Sequence, residues 1–316
     1  MQRTKKILGV DVSKSTLDLF LAPENKLWQV PNSQAGVKKL IARLALTPVD
    51  LVILEATGGY QSLLVEELHT AGVPVKVANP RQIRDFAKSL NRLGKTDALD
   101  AQSIAEYGQS RELQPDTPRR HEAIQLSRYL LRRKQIQSMV SAEKGHLEHA
   151  HKSFKLAIQE HLTLMECLLK SMDKEISEIV RSIPEYARAD ALMQSIPGIG
   201  PVVSATILAE LPELTSCGRK QAAALIGVAP FNRDSGKFRG RRHIFAGRSK
   251  VRTVMYCAMR ACLRWNPVVK GWFERFIEAG KPYKVAVIAC VRKLLIVLRA
   301  ILINNTAWDA KRFNHA

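Results

Sequence analysis

The chain has 316 residues, a length that favours about two domains. Its 49 lysines and arginines outnumber 29 aspartates and glutamates, which gives a formal net charge of +20. This excess indicates a polyanionic partner, most commonly nucleic acid. A membrane protein is not expected, because the most apolar segment, residues 285–303, is interrupted by Arg292, Lys293 and Arg299.

Residues 6–110 alternate between strand-like and helix-like segments. Two β-like runs joined by a short Ser-Lys-Ser connection predict a hairpin, and further strands are predicted at 26–30, 49–56 and 73–79. Between and after them, helical periodicity or capping signals predict helices at 34–46, 59–72, 80–90 and 96–108. Strands followed by crossover helices predict an α/β sheet.

The rest of the chain is predicted to be helical. Glycine is almost absent from residues 118–190, and apolar residues recur there in a heptad pattern, which predicts a coiled coil or helical hairpin at Ile158, Leu162, Met165, Leu169, Met172, Ile176, Ile179 and Ile183. An intramolecular helix pair and an oligomer contact are both open. Residues 191–316 are predicted to be mainly helical, with one Gly- and Arg-rich loop at 229–248.

The five cysteines form no C-x-x-C pair and do not lie near histidine at zinc-ligand spacing: Cys167, Cys217, Cys257, Cys262 and Cys290. Free, mostly buried thiols in a reducing cytoplasm are therefore expected. The N-terminal segment starts with basic residues but lacks a long apolar run and a cleavage site, so no signal peptide is predicted.

Four carboxylates lie where an α/β sheet places its sites. Asp11 and Glu55 lie near the ends of predicted strands, and Asp97 and Asp100 share one face of a predicted helix. Such carboxylates repel one another unless a cation neutralises them, and hard oxygen ligands select Mg²⁺ or Mn²⁺. Taken one at a time, each is as well explained as a turn former or a solvated helix position.

The order of these features resembles the RNase H-like fold. The stretches GVDVSK, EATGGY and KTDALDA resemble the DEDD, RuvC-like domain of a family of insertion-sequence transposases, which includes the Piv-type DNA invertases and the bridge-RNA-guided recombinases. The resemblance implies that Asp11, Glu55, Asp97 and Asp100 form the metal-binding quartet. It also implies three regions: a RuvC-like domain at 1–115, a helical coiled-coil region at 116–190 and a transposase domain at 191–316.

The segment NRDSGKFRGRRHIFAGRSK, residues 232–250, places one serine among arginines and glycines. Arginines stabilise charge on a phosphoryl group, and glycines permit close approach of the backbone. By residue type alone, a basic surface loop explains the segment equally well. Its SGxxRG pattern resembles the family's second domain, which implies that Ser235 is the nucleophile.

Further residues are expected to contact nucleic acid. The Pro-Gly-x-Gly turn at 197–200 resembles a helix-hairpin-helix turn, whose amides bind phosphate, although a plain helix–helix turn is the alternative. The predicted contacts, from this turn and the basic loop, are Gly198, Gly200, Lys237, Arg239, Arg241, Arg242, Arg248 and Lys250.

The resemblance implies a site-specific DNA recombinase that moves an insertion sequence in the bacterial cytoplasm, associated with the nucleoid when bound to DNA. Its implied partners are donor and target double-stranded DNA, a structured bridge RNA, and other copies of the chain in a tetramer built as a dimer of dimers. The implied reaction passes through a phosphoserine and a four-way junction. A metal-dependent junction resolvase using water, and a non-catalytic nucleic-acid-binding protein, are the alternatives.

Overall fold

The computed structural model describes residues 4–91, 97–232, 234–236, 238–240 and 242–313, with backbone only at 97, 98, 234, 235, 238 and 239. Contacts between residues divide the chain into two compact units, Met1–Pro118 and Arg119–Ala316. The predicted helical middle, 116–190, thus falls mostly within the second unit, because its first helix packs against a helix of the C-terminal part.

The first unit is built on a five-stranded mixed sheet. Its strands are β1 Ile7–Val12, β2 Thr16–Ala22, β3 Lys26–Pro31, β4 Leu51–Glu55 and β5 Val75–Ala78, in the order β3-β2-β1-β4-β5. The first three are antiparallel, whereas β4 and β5 run parallel to β1. This is the arrangement of an RNase H-like fold, and the predicted hairpin and crossover strands are confirmed.

Alternation along the strands divides the apolar side chains between the two faces of the sheet. Leu8, Val10 and Val12 lie in one core cluster, which also includes residues of the first two helices, α1 Gln34–Leu46 and α2 Ser62–Thr70. Ile7 lies in the other cluster, formed with residues of the next two helices, α3 Pro80–Ser89 and α4 Asp97–Gln109. Each face of the sheet is therefore covered by helices.

Helix α4 lies directly on β1, and Gly9 makes this possible. A methyl group added at Gly9 would lie 2.9 Å from Ala105 Cβ, and closer still to the backbone oxygen of Ala101 and the backbone nitrogen of Ala105. Farther along the helix, Gly108 packs against Ile7 and Ile53. Helix α4 therefore runs opposite to β1, with its N-terminus toward the end of the strand that carries Asp11.

Replacing Gly9 with alanine is expected to lower the free energy of unfolding by about 1–3 kcal/mol, because the new methyl group collides with helix backbone that has no rotamer to adjust. Chemical denaturation measures the change. The matched control is Gly145→Ala, since a methyl group at Gly145 meets nothing within 4 Å and should stabilise the helix. Equal stability of Gly9→Ala and the wild type would contradict the close packing.

The second unit is mainly helical. Two long helices, α5 His121–His149 and α6 Lys152–Ser182, pair with each other, and the predicted heptad positions Leu162 and Met165 pack against Ile136 and Val140. The predicted seam thus forms a helix pair within the chain. The remaining helices are α7 Pro184–Gln194, α8 Pro201–Glu210, α9 Arg219–Leu225, α10 Ser249–Trp265, α11 Pro267–Glu278, α12 Tyr283–Asn304 and α13 Ala310–Phe313.

The C-terminal helices enclose the largest apolar cluster, in which Trp272 is fully buried. Two of the free cysteines, Cys262 and Cys290, belong to this cluster, and burial raises the pKa of their thiols to about 12 and about 11. They are therefore protonated packing residues at neutral pH. The expectation of mostly buried thiols was wrong for the rest, because Cys167 and Cys257 are exposed and Cys217 is half-buried. Among the residues described, no helix is both long and apolar enough to cross a bilayer.

The predicted loop at 229–248 contains short strands. Strands β6 Pro230–Phe231 and β9 His243–Ile244 pair with each other, as do β7 Asp234–Ser235 and β8 Phe238–Arg239. We call residues 230–244 the ribbon. The prediction of a plain loop was wrong here, because two-residue strands among glycines and arginines leave no detectable periodicity.

Candidate active site

Asp11 and Glu55 lie side by side at one edge of the sheet. The parallel register pairs Val10 with Leu54, so the next position on each strand carries a carboxylate. Asp11 lies four residues after Ile7, and Glu55 lies two residues after Ile53. Side chains an even number of residues apart share a sheet face, so both carboxylates belong to the face that α4 covers. Each side chain is half-buried and makes polar interactions.

Helix α4 brings the other two predicted carboxylates to the same edge. Asp11 lies two residues beyond Gly9, about 7 Å along the strand. Asp97 lies four residues before Ala101, about 6 Å along the helix in the same direction. Asp100 is half-buried and precedes the buried Ile104 by one turn, so it belongs to the sheet-facing side. Asp97 is described for the backbone alone, so its side chain is not placed.

Hydrogen bonds fix the two loops that follow Asp11 and Glu55. The Asn32 side chain donates to the carbonyl oxygens of Ser13, at 2.8 Å, and Tyr60, at 3.1 Å, and so links the loops after β1 and β4. In the second loop, Gln61 Oε1 accepts from the backbone of Thr57 and Gly59 and from the Thr57 hydroxyl. Gly58 and Gly59, with φ of 49° and 125°, permit this turn.

The residue types at this edge fit a divalent cation. Carboxylate oxygens are the ligands that Mg²⁺ and Mn²⁺ prefer. On the same face, Asp18 Oδ2 is buried and accepts no hydrogen bond, which leaves an oxygen available to an ion. Within the described side chains, which exclude Asp97, no three carboxylate, histidine or cysteine groups are arranged closely enough to hold a metal by themselves.

The predicted nucleophile lies near the tip of the ribbon. Ser235 is paired with Phe238 across the turn that contains Gly236, whose φ of 54° favours glycine. Arg242 is exposed on the returning side of the ribbon. The predictions for Lys237 and Arg241 lie outside the described residues, and those for Ser235 and Arg239 are described for the backbone alone.

The base of the ribbon is anchored to the helical unit. Arg248 forms a bidentate ion pair with Glu213, at 2.7 and 2.6 Å, and its backbone N–H donates to the carbonyl oxygen of Leu225. These side-chain hydrogen bonds from Arg248 hold the pKa of the Glu213 carboxyl below its ordinary value. Gly227 and Gly247, both at positive φ, pack backbone against backbone beside this pair.

The two predicted cations nearest the base therefore have carboxylate partners. Arg248 is engaged by Glu213, and Lys250 Nζ lies 3.4 Å from Glu210 Oε1. Lys250 also lines a cleft of about 670 Å³ between α5, α8 and α10. Arg248 is therefore placed to hold the ribbon, whereas Arg242 is exposed to solvent.

The Pro-Gly-x-Gly turn connects α7 to α8. Gly198 has a φ of 98°, and a methyl group there would lie 2.6 Å from the backbone nitrogen of Cys262, so this glycine permits close packing against α10. Gly200 is the N-cap of α8, and a side chain at that position would enter open space. Of the two predicted phosphate contacts, Gly200 is thus the more accessible.

Three residues around the carboxylates were not predicted from the sequence. Asn32 and Gln61 hold the loops around the carboxylates, and Asp18 lies on the strand beside Asp11. Asparagine and glutamine next to turn residues are too common to single out. The strand alternation does place Asp18 on the same face as Phe20, and this signal was available.

Two family models match the chain. Residues 8–154 match the model of the DEDD transposase domain of IS110. Residues 190–273 match the model of the transposase of the IS116/IS110/IS902 family. Together they cover most of both units. The first match spans all four carboxylates, and the second spans the ribbon and the Pro-Gly-x-Gly turn.

Curated proteins give a consistent result. The chain is 26% identical to the pilin gene-inverting protein of Moraxella bovis, over 98% of this chain and 99% of that protein, and equally similar to its counterpart in Moraxella lacunata. It is 29% identical to an insertion element IS900 protein of Mycobacterium paratuberculosis over 44% of this chain and 36% of that protein. The chain therefore belongs to the IS110-type family of transposases and recombinases, which are enzymes.

Proposed function

We propose that this protein is a metal-dependent DNA recombinase that uses Ser235 as its nucleophile. The observation that carries the proposal is the arrangement of the first unit, in which Asp11, Glu55 and the N-terminus of α4 share one edge and one face of the sheet. Asp11, Glu55, Asp97 and Asp100 would hold Mg²⁺. The ion, when bound, would neutralise charge on a DNA phosphate and on the sugar oxygen that leaves it.

In the proposed reaction, the Ser235 hydroxyl loses its proton and its Oγ bonds to the scissile phosphorus. The bond from phosphorus to one sugar oxygen breaks, and that oxygen takes up a proton. The oxygen of a sugar hydroxyl of the partner DNA then bonds to the same phosphorus, the bond from phosphorus to Ser235 Oγ breaks, and the proton of the attacking hydroxyl passes to the released serine. Repeating these steps on the second pair of strands resolves a four-way junction. Basic residues of the ribbon, such as Arg242, would stabilise the phosphoryl charge.

Partners follow from the same proposal. The substrates are donor and target double-stranded DNA, and the net charge of +20 suits a polyanion. A structured bridge RNA supplies target choice, and four copies of the chain act as a dimer of dimers. A second candidate is inversion of a DNA segment, which is favoured by full-length similarity to proteins named as pilin gene-inverting.

RNA guidance is expected to appear as tight, selective RNA binding. The structured transcript flanking the gene should bind more tightly than unrelated RNA of equal length. If about six phosphates are neutralised, log K should fall against log[salt] with a slope of roughly −5. Gel-shift titrations at several salt concentrations measure both quantities. Equal affinity for the two RNAs would contradict guidance and favour inversion directed by protein–DNA contacts alone.

Recombination itself tests the core of the proposal. Plasmids carrying two sites in direct or inverted orientation are incubated with protein, transcript and Mg²⁺, and the products are amplified across the new junctions. Exchange that stops when EDTA is added is the expected result. Products that form equally well in EDTA would overturn the metal-dependent mechanism.

A further inference from the structure

Asp18 lies directly opposite Asp11 in the sheet. Strand β2 runs antiparallel to β1, and the register pairs these two aspartates. Directly opposed residues of an antiparallel pair project from the same face, with Cβ atoms about 5 Å apart. Phe20 and Ala22, which alternate with Asp18 along β2, belong to the cluster beneath α4. Asp18 is therefore a fifth carboxylate on the face that carries Asp11 and Glu55.

The two oxygens of Asp18 have different surroundings. Oδ1 accepts a hydrogen bond of 2.9 Å from Gln29 Nε2 on the neighbouring strand β3. Oδ2 is inaccessible to solvent and has no hydrogen-bond partner. Among the described residues no lysine or arginine forms an ion pair with Asp18. A buried carboxylate oxygen without a partner costs free energy, and a directly opposed aspartate adds to that cost.

We propose that Asp18 is a further residue of the cation site, where its unpartnered oxygen faces the ion held beside Asp11. The proposal rests on the metal-dependent function proposed above. A divalent cation relieves both costs together, because it neutralises the opposed pair and satisfies the buried oxygen. Gln29 then acts as a positioning residue, since its amide fixes one oxygen of Asp18 and thereby the direction of the other.

The test compares Mg²⁺ binding in the full-length protein and in Asp18→Asn. Asparagine keeps the shape and the acceptor for Gln29 but removes the charge. Isothermal titration with MgCl₂ should show affinity for the ion falling roughly tenfold, since affinity in such sites depends on the number of charged ligands. Asp50→Asn is the matched control, because Asp50 precedes β4 at the opposite edge of the sheet and caps the backbone N–H of Lys6.

Thermal unfolding adds a readout that does not depend on catalysis. Without metal, Asp18→Asn should melt at or above the temperature of the wild type, because repulsion with Asp11 is relieved. With Mg²⁺, the melting temperature of the wild type should rise more than that of the variant, so the difference in melting temperature between them narrows or reverses. The melting temperature of Asp50→Asn should rise with Mg²⁺ by as much as that of the wild type.

The outcomes separate this inference from the proposed function. If the wild type binds Mg²⁺ and Asp18→Asn binds it equally well, Asp18 is only a structural partner of Gln29 and the inference fails alone. The same conclusion follows if the variant melts lower than the wild type by an equal amount with and without Mg²⁺. If the wild type binds no Mg²⁺, the metal-dependent function and this inference both fail.

Discussion

Replacing Asp11 with asparagine is expected to stop strand exchange while leaving the protein folded. Asp11 lies at the end of the central strand, beside Glu55 on one neighbour and Asp18 on the other, so it is the central member of the carboxylate group. Loss of one central ligand should weaken charge stabilisation in the transition state by several kcal/mol, a decrease in rate of roughly a thousandfold or more.

Junction-specific amplification and quantitative gel assays measure this loss, and circular dichroism confirms folding. The substitution keeps the side-chain volume and removes a negative charge from a crowded face, so the melting temperature without metal should not fall. Asp50→Asn serves again as the control at the opposite edge. A recombination rate for Asp11→Asn within a few-fold of the wild type would refute the assignment of this edge as the active site.

Replacing Ser235 with alanine is expected to abolish the covalent link between protein and DNA. The change removes one oxygen and no charge, next to the exposed Gly236, in a ribbon whose described side chains contribute nothing to a hydrophobic core. Folding, RNA binding and Mg²⁺ binding should therefore be unchanged. Ser235→Cys should retain a trace of reactivity, because a thiolate is the stronger nucleophile.

Denaturing electrophoresis of labelled DNA after incubation with protein, RNA and Mg²⁺ provides the measurement. A slowly migrating adduct should form with the wild type, disappear on protease treatment and be absent with Ser235→Ala. Ser249→Ala is a matched control, because this serine follows the ribbon at the start of α10. If Ser235→Ala still cleaves DNA without an adduct, water is the nucleophile and a junction resolvase becomes the better description.

The sheet of the first unit was largely predictable because its signals are local. The runs around Ile7 and Ile53 are long and apolar, and the acids that end them, Asp11 and Glu55, have no place in a core. The hairpin register that sets Asp18 against Asp11 depends on the turn between the strands. The residue types in that turn do not distinguish this register from one shifted by a residue.

Contacts between distant segments were not predictable from the sequence. The Arg248–Glu213 pair joins residues 35 positions apart, and nothing in either neighbourhood identifies the other. In the heptad region, the pattern gave the seam but not its partner, because Leu162 and Met165 would suit any apolar helix equally well. The structure places them against Ile136 and Val140 of the same chain.

The anchored base of the ribbon has an evolutionary consequence. Arg248 and Glu213, with the paired backbones of Gly227 and Gly247, tie both ends of the segment to the helical unit. Val228, next to Gly227, is buried in the core, whereas the side chains described at Phe231, Asn232 and residues 242–246 are exposed. Substitutions at these exposed positions remove little buried area and should change the free energy of unfolding by roughly 0.5 kcal/mol or less, so these positions can vary while Arg248 and Glu213 stay fixed. The attachment of the ribbon and its exposed surface thus depend on different residues.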